Sequence, residues 1–135
     1  MLVVLDTNVL VSGLLNPSGP PARILDLVLL GTVQVAFDDR LMAEYQEVLG
    51  RSGFGFSRLS LESLLDHIQL LGVQVTAPPL PNIDPPDPDD VCFAEVALST
   101  NAILVAGNVD HFLVFERIGL RVLAPAEFLD LLTSA

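Results

Sequence analysis

Short runs of apolar, mostly β-branched residues alternate with helical periodicity along the whole chain. Strands are predicted for residues 2–5, 33–37, 73–75, 103–106 and 122–123. Apolar residues recur at helical spacing in residues 20–30, 39–49, 61–71, 89–100, 109–117 and 125–132. Because parallel strands require a crossover between them, usually a helix, this order predicts an α/β fold. The expected architecture is a three-layer α/β/α sandwich with a central, mostly parallel sheet of four to five strands.

The length and composition predict one soluble domain spanning residues 1–135. A chain of 135 residues with 51% hydrophobic residues is long enough to fill one core. Residues 78–88 hold six of the ten prolines, and we expect an extended loop here rather than a domain boundary, because only 47 residues follow. One cysteine, no leader segment and apolar runs of only about five residues favour a cytoplasmic protein with no membrane span.

The charged residues exclude several chemistries. The chain has 17 acidic and 6 basic residues, a formal net charge of −11, and all six basic residues are arginine. The absence of lysine excludes a P-loop and Schiff-base catalysis, and it disfavours a receiver-like phosphoacceptor domain. So large an excess of acid also makes a purely electrostatic nucleic-acid clamp difficult to build.

Polar residues follow two of the predicted strands at the ends where functional groups collect in a parallel sheet. Asp6 directly follows the first strand, and Asn108 and Asp110 follow the fourth. The alternative for Asp6 is capping of a helix that begins near Val9, a role for which Asn8 competes. We favour a functional role for Asp6 because it adjoins a strand that is apolar on both faces.

Two further carboxylates are predicted on helices. Glu44 lies at the border of the apolar stripe that contains Leu41 and Val48, and its alternative is an ordinary exposed surface position. Asp90 shares a helix face with apolar residues, where a carboxylate is costly unless it is paired or binds a metal. Helix capping is the alternative for the acids at this helix start, and Asp87 is the best placed of them to cap.

Four carboxylates are therefore candidates for one crevice: Asp6, Glu44, Asp90 and Asp110. Carboxylates that lie close together are stable only when protons or cations neutralise them. Oxygen ligands favour Mg²⁺ or Mn²⁺ over zinc. The sequence therefore predicts a site for one or two such ions.

The motifs that carry these residues resemble those of PIN-domain proteins. The N-terminal string LVVLDTNVLVSGLL is followed by NPSGPPARIL, LMAEYQEVLGRSGF, DPDDVCFAEVAL, AILVAGNVDHF and GLRVLAPAEFL. Each motif is short, but together they span essentially the whole chain in the order of that family. The resemblance implies a metal-dependent endoribonuclease, often the toxin of a VapBC-type toxin–antitoxin pair, whose products have 5′-phosphate and 3′-hydroxyl ends.

The resemblance also implies residue roles. The family's acidic metal ligands match Asp6, Glu44 and Asp90, and its site-ordering residues, which we expect to act by hydrogen bonding, match Thr7 and Asn8. Many members carry an aspartate where this chain has Asn108. We therefore expect Asp110 to provide the outer carboxylate, while Asn108 hydrogen-bonds to a water or a phosphate.

The same resemblance implies partners, namely an RNA substrate, a second copy of the chain in a homodimer, and a small antitoxin lying across the active-site groove. Arg40, Arg51 and Arg58 are candidates for contacting RNA, although scattered surface arginines often serve solubility alone. Phe54 and Phe56 lie between glycines and could stack on bases, contact a partner or fill the core.

The sequence also allows a different class of function. A PIN-like domain that has lost catalysis and binds RNA or a protein would also carry Asn108 in place of an acid and few basic residues. We expect His67, His111 and Cys92 to have structural roles, with Cys92 as a small buried side chain.

Overall fold

A computed structural model of the protein describes residues 1–80 and 87–134, within which one sheet has five strands. The strands are β1 (Leu2–Leu5), β2 (Gln34–Phe37), β3 (Val73–Gln74), β4 (Ile103–Val105) and β5 (Val122–Leu123). Their order across the sheet is β3-β2-β1-β4-β5, and each neighbouring pair is parallel. Helices flank the sheet, which confirms the predicted α/β architecture with a parallel sheet.

The α-helices lie between the first four strands and after the last one. They are α1 (Thr7–Leu15), α2 (Pro20–Leu29), α3 (Asp39–Leu49), α4 (Arg58–Leu71), α5 (Val91–Thr100) and α6 (Pro125–Thr133). Three 3₁₀ segments are also found in the described residues: Ser52–Phe54, Pro88–Asp90 and Val109–Ile118.

Local capping hydrogen bonds explain where the helices begin. Asp38 caps α3, because its Oδ1 accepts a hydrogen bond from the Leu41 amide at 3.0 Å. Helix α4 begins at Arg58, before the predicted start at residue 61, because the Ser57 hydroxyl accepts a hydrogen bond from the Ser60 amide.

Two predicted helices differ in type from the observed segments. The segment predicted as a helix over residues 109–117 is a 3₁₀ segment, and the helix predicted from residue 89 also begins as 3₁₀ turns. Side chains three residues apart align in a 3₁₀ helix. Phe112 and Phe115 have this spacing and both are buried, so the 3₁₀ form places the two rings in the core together.

Three of the four residues of the central strand are completely buried. Val3, Val4 and Leu5 of β1 are fully inaccessible to solvent, and so is Leu104 of the adjacent β4. Such burial on both faces requires apolar side chains in every position, which is why the first strand reads as an uninterrupted apolar run. The carboxyl end of β1 is consequently a rigid platform for the residue that follows it.

The proline-rich segment is described only in part, since residues 81–86 lie outside the described residues. Residues 75–80 have no regular secondary structure, and the Leu80 amide donates a hydrogen bond to Oε2 of Glu95 at 2.8 Å. Within residues 1–80 and 87–134, no helix is long and apolar enough to cross a membrane.

We predict that Gly72→Ala destabilises the fold, because the packing at the junction of α4 and β3 leaves no room for a side chain. A Cβ atom at Gly72 would clash with the carbonyl oxygens of Ile68 and Val35. The expected cost is about 1–3 kcal/mol in the free energy of unfolding, measured by urea titration. Gly53→Ala is the control, since a Cβ atom there meets nothing within 4 Å. Equal stability of the two variants would contradict the packing described here.

Candidate active site

Asp6 lies directly beyond the carboxyl end of the buried central strand. Its amide donates a hydrogen bond to the Val105 carbonyl of β4 at 3.0 Å, and its carbonyl accepts one from the Val9 amide at 2.9 Å. Asp6 occupies the N-cap position of α1, but its side chain makes no capping hydrogen bond. The capping alternative therefore does not account for this carboxylate, which is only 8% exposed.

Tyr45 holds the same end of β1 from the side of α3. Its ring is fully buried, and its hydroxyl donates a hydrogen bond to the Leu5 carbonyl, one residue before Asp6. Burial, followed by the charge of Asp6, raises the pKa of Tyr45 well above its usual value, so the phenol stays protonated and remains a donor. The backbone that carries Asp6 is thus held by both β4 and α3.

Asp90 enters the site from the start of α5. As predicted, Asp87 caps the preceding 3₁₀ turn through a hydrogen bond from the Asp89 amide to its Oδ1 at 3.0 Å, and Pro88 occupies the first position of that turn. Asp90 is 9% exposed, and within the described residues its Oδ2 is buried without a hydrogen-bond partner. A buried oxygen of this kind is costly unless a ligand satisfies it.

Electrostatics connect the two buried carboxylates. Burial raises the pKa of Asp6 to about 6, and the negative charge of Asp90 is the next largest contribution. Burial also raises the pKa of Asp90, and the carboxylate of Asp87 raises it further. Both shifts mean that the charged forms lack enough compensating positive charge in this structure.

Glu44 is the third predicted carboxylate in this region. It is half-buried on α3, as expected for the border of the apolar stripe, whereas Glu47 is exposed. Its negative charge contributes to the raised pKa of Asp6, though less than Asp90 does. The structure therefore brings Asp6, Asp90 and Glu44 into one electrostatic neighbourhood.

The segment after β4 contributes a different residue from the one expected. Asp110 is exposed at the start of this segment, and the side chain that the segment turns toward Asp90 is that of His111. His111 Nδ1 lies 3.7 Å from Asp90 Oδ2, and its Nε2 lies 2.9 Å from Nδ2 of Asn108. Sequence reasoning assigned His111 a structural role, and only its position next to Asp110 hinted at more.

A divalent cation fits the two buried carboxylates, although they do not form a complete cage. Within residues 1–80 and 87–134, no three His, Cys, Asp or Glu side chains converge closely enough to hold a metal by themselves. Mg²⁺ is usually held by one or two carboxylates together with waters and phosphate oxygens. The unpartnered oxygen of Asp90 and the mutual repulsion of Asp6 and Asp90 match that kind of site.

Comparison with known proteins agrees with this geometry. A family model for the PIN domain matches residues 2–110. The chain belongs to the PIN-domain family. An uncharacterized protein of Methanocaldococcus jannaschii is 30% identical to this PIN domain, in an alignment that covers 95% of this chain and 89% of that protein.

Solved structures with the same fold include chains of VapBC2 and FitAcB. VapBC2 from Rickettsia felis, solved with a DNA fragment from the promoter, matches with a TM-score of 0.55 and 21% identity, covering 92% of this chain and 98% of that chain. FitAcB from Neisseria gonorrhoeae matches with a TM-score of 0.60 and 18% identity, covering 93% and 99%. At these identities the matches show a shared fold.

The predicted site-ordering residues of this PIN domain have contrasting positions. Thr7 is buried, and within the described part of the chain its hydroxyl has no hydrogen-bond partner, so the hydrogen bond expected of it is absent in this structure. Asn8 is exposed on the first turn of α1. Their ordering roles remain predictions.

Arg40 makes contacts that sequence reasoning did not foresee. Its guanidinium binds Asp38 Oδ2 at 2.7 Å and Glu95 Oε1 at 2.6 Å, and both acids are buried. Hydrogen bonding to Glu95 is the largest of the effects that raise the pKa of Arg40. Because Glu95 also accepts a hydrogen bond from the Leu80 amide, this cluster links α3, α5 and the start of the proline-rich segment.

The other predicted RNA-binding arginines are paired with acids on the surface. Arg51 binds Glu47 at 2.9 Å, and Arg58 binds Glu62 at 2.9 Å, in each case four residues apart. Between them, the half-buried rings of Phe54 and Phe56 stack on each other with centroids 5.3 Å apart. The structure does not bring these residues to Asp6 and Asp90, and their role in binding RNA remains a prediction.

His67 and Cys92 lie outside this group of carboxylates. His67 Nε2 contacts the Val28 carbonyl at 2.9 Å, which agrees with the structural role expected of it. Cys92 is half-buried rather than buried, because it lies on the first turn of α5 with Sγ 3.4 Å from the Asp89 carbonyl. The expectation of a fully buried Cys92 was wrong.

We predict that Asp6→Asn stabilises the metal-free protein at neutral pH. The folded-state pKa of about 6 lies above the ordinary value of 3.8, so the folded protein loses stability as the pH rises from about 4 through 6 and Asp6 ionises. At pH 7 in EDTA the variant should be more stable than the wild type by about 1–3 kcal/mol in urea unfolding. The difference should vanish below pH 4.

The matched control is Asp66→Asn, which removes an exposed carboxylate from α4. Its stability should follow that of the wild type across the same pH range. Parallel pH profiles for Asp6→Asn and the wild type would show that burial and Asp90 do not act on Asp6 in this way.

Proposed function

We propose that this PIN domain is a metal-dependent endoribonuclease that hydrolyses RNA phosphodiester bonds, and that it is the toxin of a VapBC-type toxin–antitoxin pair. The observation that carries the proposal is the pair of buried carboxylates, Asp6 and Asp90, at the carboxyl edge of the sheet. PIN domains are generally nucleases, and the family membership of this chain supports the assignment.

Asp6 and Asp90 are the proposed ligands of Mg²⁺ or Mn²⁺, with one or two ions bound. When bound there, a divalent cation would supply Lewis-acid chemistry, polarising a phosphoryl oxygen and lowering the pKa of a water molecule. Glu44, half-buried and close enough to influence Asp6, is the proposed acceptor of the proton from that water. Asp110 is the proposed outer carboxylate on the exposed side of the site.

The products follow from where the bond breaks. Attack of water on phosphorus with departure of the 3′ oxygen leaves a 5′-phosphate on one fragment and a 3′-hydroxyl on the other. The exposed amide of Asn108 is the proposed donor to a phosphate oxygen. Arg40, Arg51 and Arg58 are the proposed contacts to the rest of the RNA, and each would have to share its guanidinium with the acid it already binds.

A partner protein is part of the proposal. The structural neighbours VapBC2 and FitAcB come from toxin–antitoxin complexes, which supports a cognate antitoxin for this chain. An apolar groove of about 460 Å³ runs between α1, α2 and α4, and Leu29 and Leu59 on its walls are 50% and 76% exposed. Exposed apolar walls of this kind favour a contact with a protein, either an antitoxin or a second copy of the chain in a homodimer.

The alternative is a PIN domain without catalysis that binds RNA or protein. The specific observation in its favour is that all three candidate arginines already bind acids, and that Asn108 stands where many members have an acid. The two functions differ in whether RNA is cut, so a cleavage assay separates them.

We predict that the wild type cleaves RNA only with a divalent cation present. The substrates are total RNA and a labelled single-stranded RNA oligonucleotide, incubated with Mg²⁺, with Mn²⁺ or with EDTA, and the matching DNA oligonucleotide is the substrate control. Asp6→Asn and Asp90→Asn should each lower the cleavage rate by about 100-fold or more, because each removes a proposed metal ligand.

Asp66→Asn is the matched protein control, because it changes the same functional group on the exposed face of α4. Its rate should equal that of the wild type. Cleavage that survives EDTA, or equal rates in Asp90→Asn and the wild type, would contradict the proposed mechanism. Binding of RNA without cleavage under either metal would favour the non-catalytic alternative.

A further inference from the structure

The side chain of His111 lies between an exposed amide and a buried carboxylate. Its Nε2 contacts the amide of Asn108 at 2.9 Å, and its Nδ1 faces Asp90 Oδ2 at 3.7 Å. The ring is 46% exposed, so its open side is accessible to ions and water.

The distance between His111 Nδ1 and Asp90 Oδ2 is 3.7 Å. At 3.7 Å the two atoms are too far apart for a hydrogen bond, and Asp90 Oδ2 has no other partner in the described residues. Two ligand atoms that each lie about 2.1 Å from one cation are separated by about 3 to 4 Å. The gap therefore suits two atoms that bind the same ion.

After rotation of its amide, Asn108 can stabilise the form of the ring that such an ion requires. A neutral imidazole carries its proton on one nitrogen and a lone pair on the other. The Asn108 amide can present either its Nδ2 or, after rotation, its Oδ1 to the ring. With Oδ1 toward Nε2, the Nε2–H donates to Asn108 and Nδ1 directs its lone pair toward Asp90, which is the usual arrangement of a metal-binding histidine.

We propose that His111, oriented by Asn108, is a nitrogen ligand that shares a divalent cation with Asp90. A nitrogen donor disfavours Mg²⁺, whose preferred ligands are oxygens, relative to transition-metal ions. The site therefore prefers a transition-metal cation such as Mn²⁺ over Mg²⁺. This inference rests on the proposed metal-dependent function, but it assigns a ligand and an ion preference that the nuclease activity by itself does not require.

The test uses Mn²⁺ alone, added to the metal-free full-length protein. Pulsed EPR detects the magnetic coupling between bound Mn²⁺ and a directly bound imidazole nitrogen. We expect this ¹⁴N coupling in the wild type, and we expect it to change to a ¹⁵N pattern when histidine is ¹⁵N-labelled. His67→Ala should retain the coupling, because His67 contacts the Val28 carbonyl on α2, and His111→Ala should abolish it.

Affinities measured by titration give a second readout. His111→Ala should weaken Mn²⁺ binding by about 10-fold or more and change Mg²⁺ binding by less than about 3-fold. Asn108→Ala should weaken Mn²⁺ binding by about 10-fold, because the ring loses the group that orients it. Equal losses for Mn²⁺ and Mg²⁺ in His111→Ala would contradict the ion preference.

The outcomes separate this inference from the proposed function. Mn²⁺ binding that depends on Asp90 but shows no histidine coupling would overturn the role of His111 and leave the nuclease proposal intact. Histidine coupling in a protein that cuts no RNA would support the ligand and overturn the nuclease proposal. Failure of the wild type to bind Mn²⁺ would overturn both.

Discussion

Two carboxylates buried side by side at one edge of a parallel sheet are the constraint on which the rest of this structure depends. Asp6 cannot move away from Asp90, because the end of the central strand β1 is buried and is held by hydrogen bonds to Val105 and from Tyr45. Burial, together with the negative charge of Asp90, raises the pKa of Asp6 to about 6. A cation bound there would stabilise both charged forms at neutral pH, which supports the proposed metal-dependent chemistry.

The few cations of the chain are placed elsewhere. Arg40 is committed to Asp38 and Glu95, where it satisfies two buried acids and fixes α3 against α5. Within the described residues, no arginine forms an ion pair with Asp6 or Asp90, and the chain has no lysine. The absence of lysine therefore excludes a P-loop and disfavours a receiver-like phosphoacceptor site, and an ion from solution is the proposed source of positive charge.

The strands could be predicted because a strand buried on both faces is an uninterrupted apolar run. Most of the helices could be predicted from apolar residues at helical spacing. The same reasoning placed Asp6 and Asp90, since each is a charged residue adjoining an apolar surface. It missed the Arg40 cluster because Asp38 and Glu95 are far apart in sequence and meet only through packing of α3 on α5. It also passed over His111, because the 3₁₀ form of its segment turns His111 rather than Asp110 toward Asp90. The prediction assumed the side-chain directions of an α-helix, which differ from those of a 3₁₀ helix.

The central claim is that Asp6 and Asp90 together require a divalent cation. It is tested most directly by the free energy of unfolding of the full chain at pH 7 as a function of Mn²⁺ concentration, in the wild type and in Asp90→Asn. At Mn²⁺ concentrations above the dissociation constant for Mn²⁺, we expect each tenfold increase to raise the free energy of unfolding of the wild type by about 1.4 kcal/mol. We expect no change in Asp90→Asn. Equal stabilisation of both proteins, or none in the wild type at millimolar Mn²⁺, would contradict it.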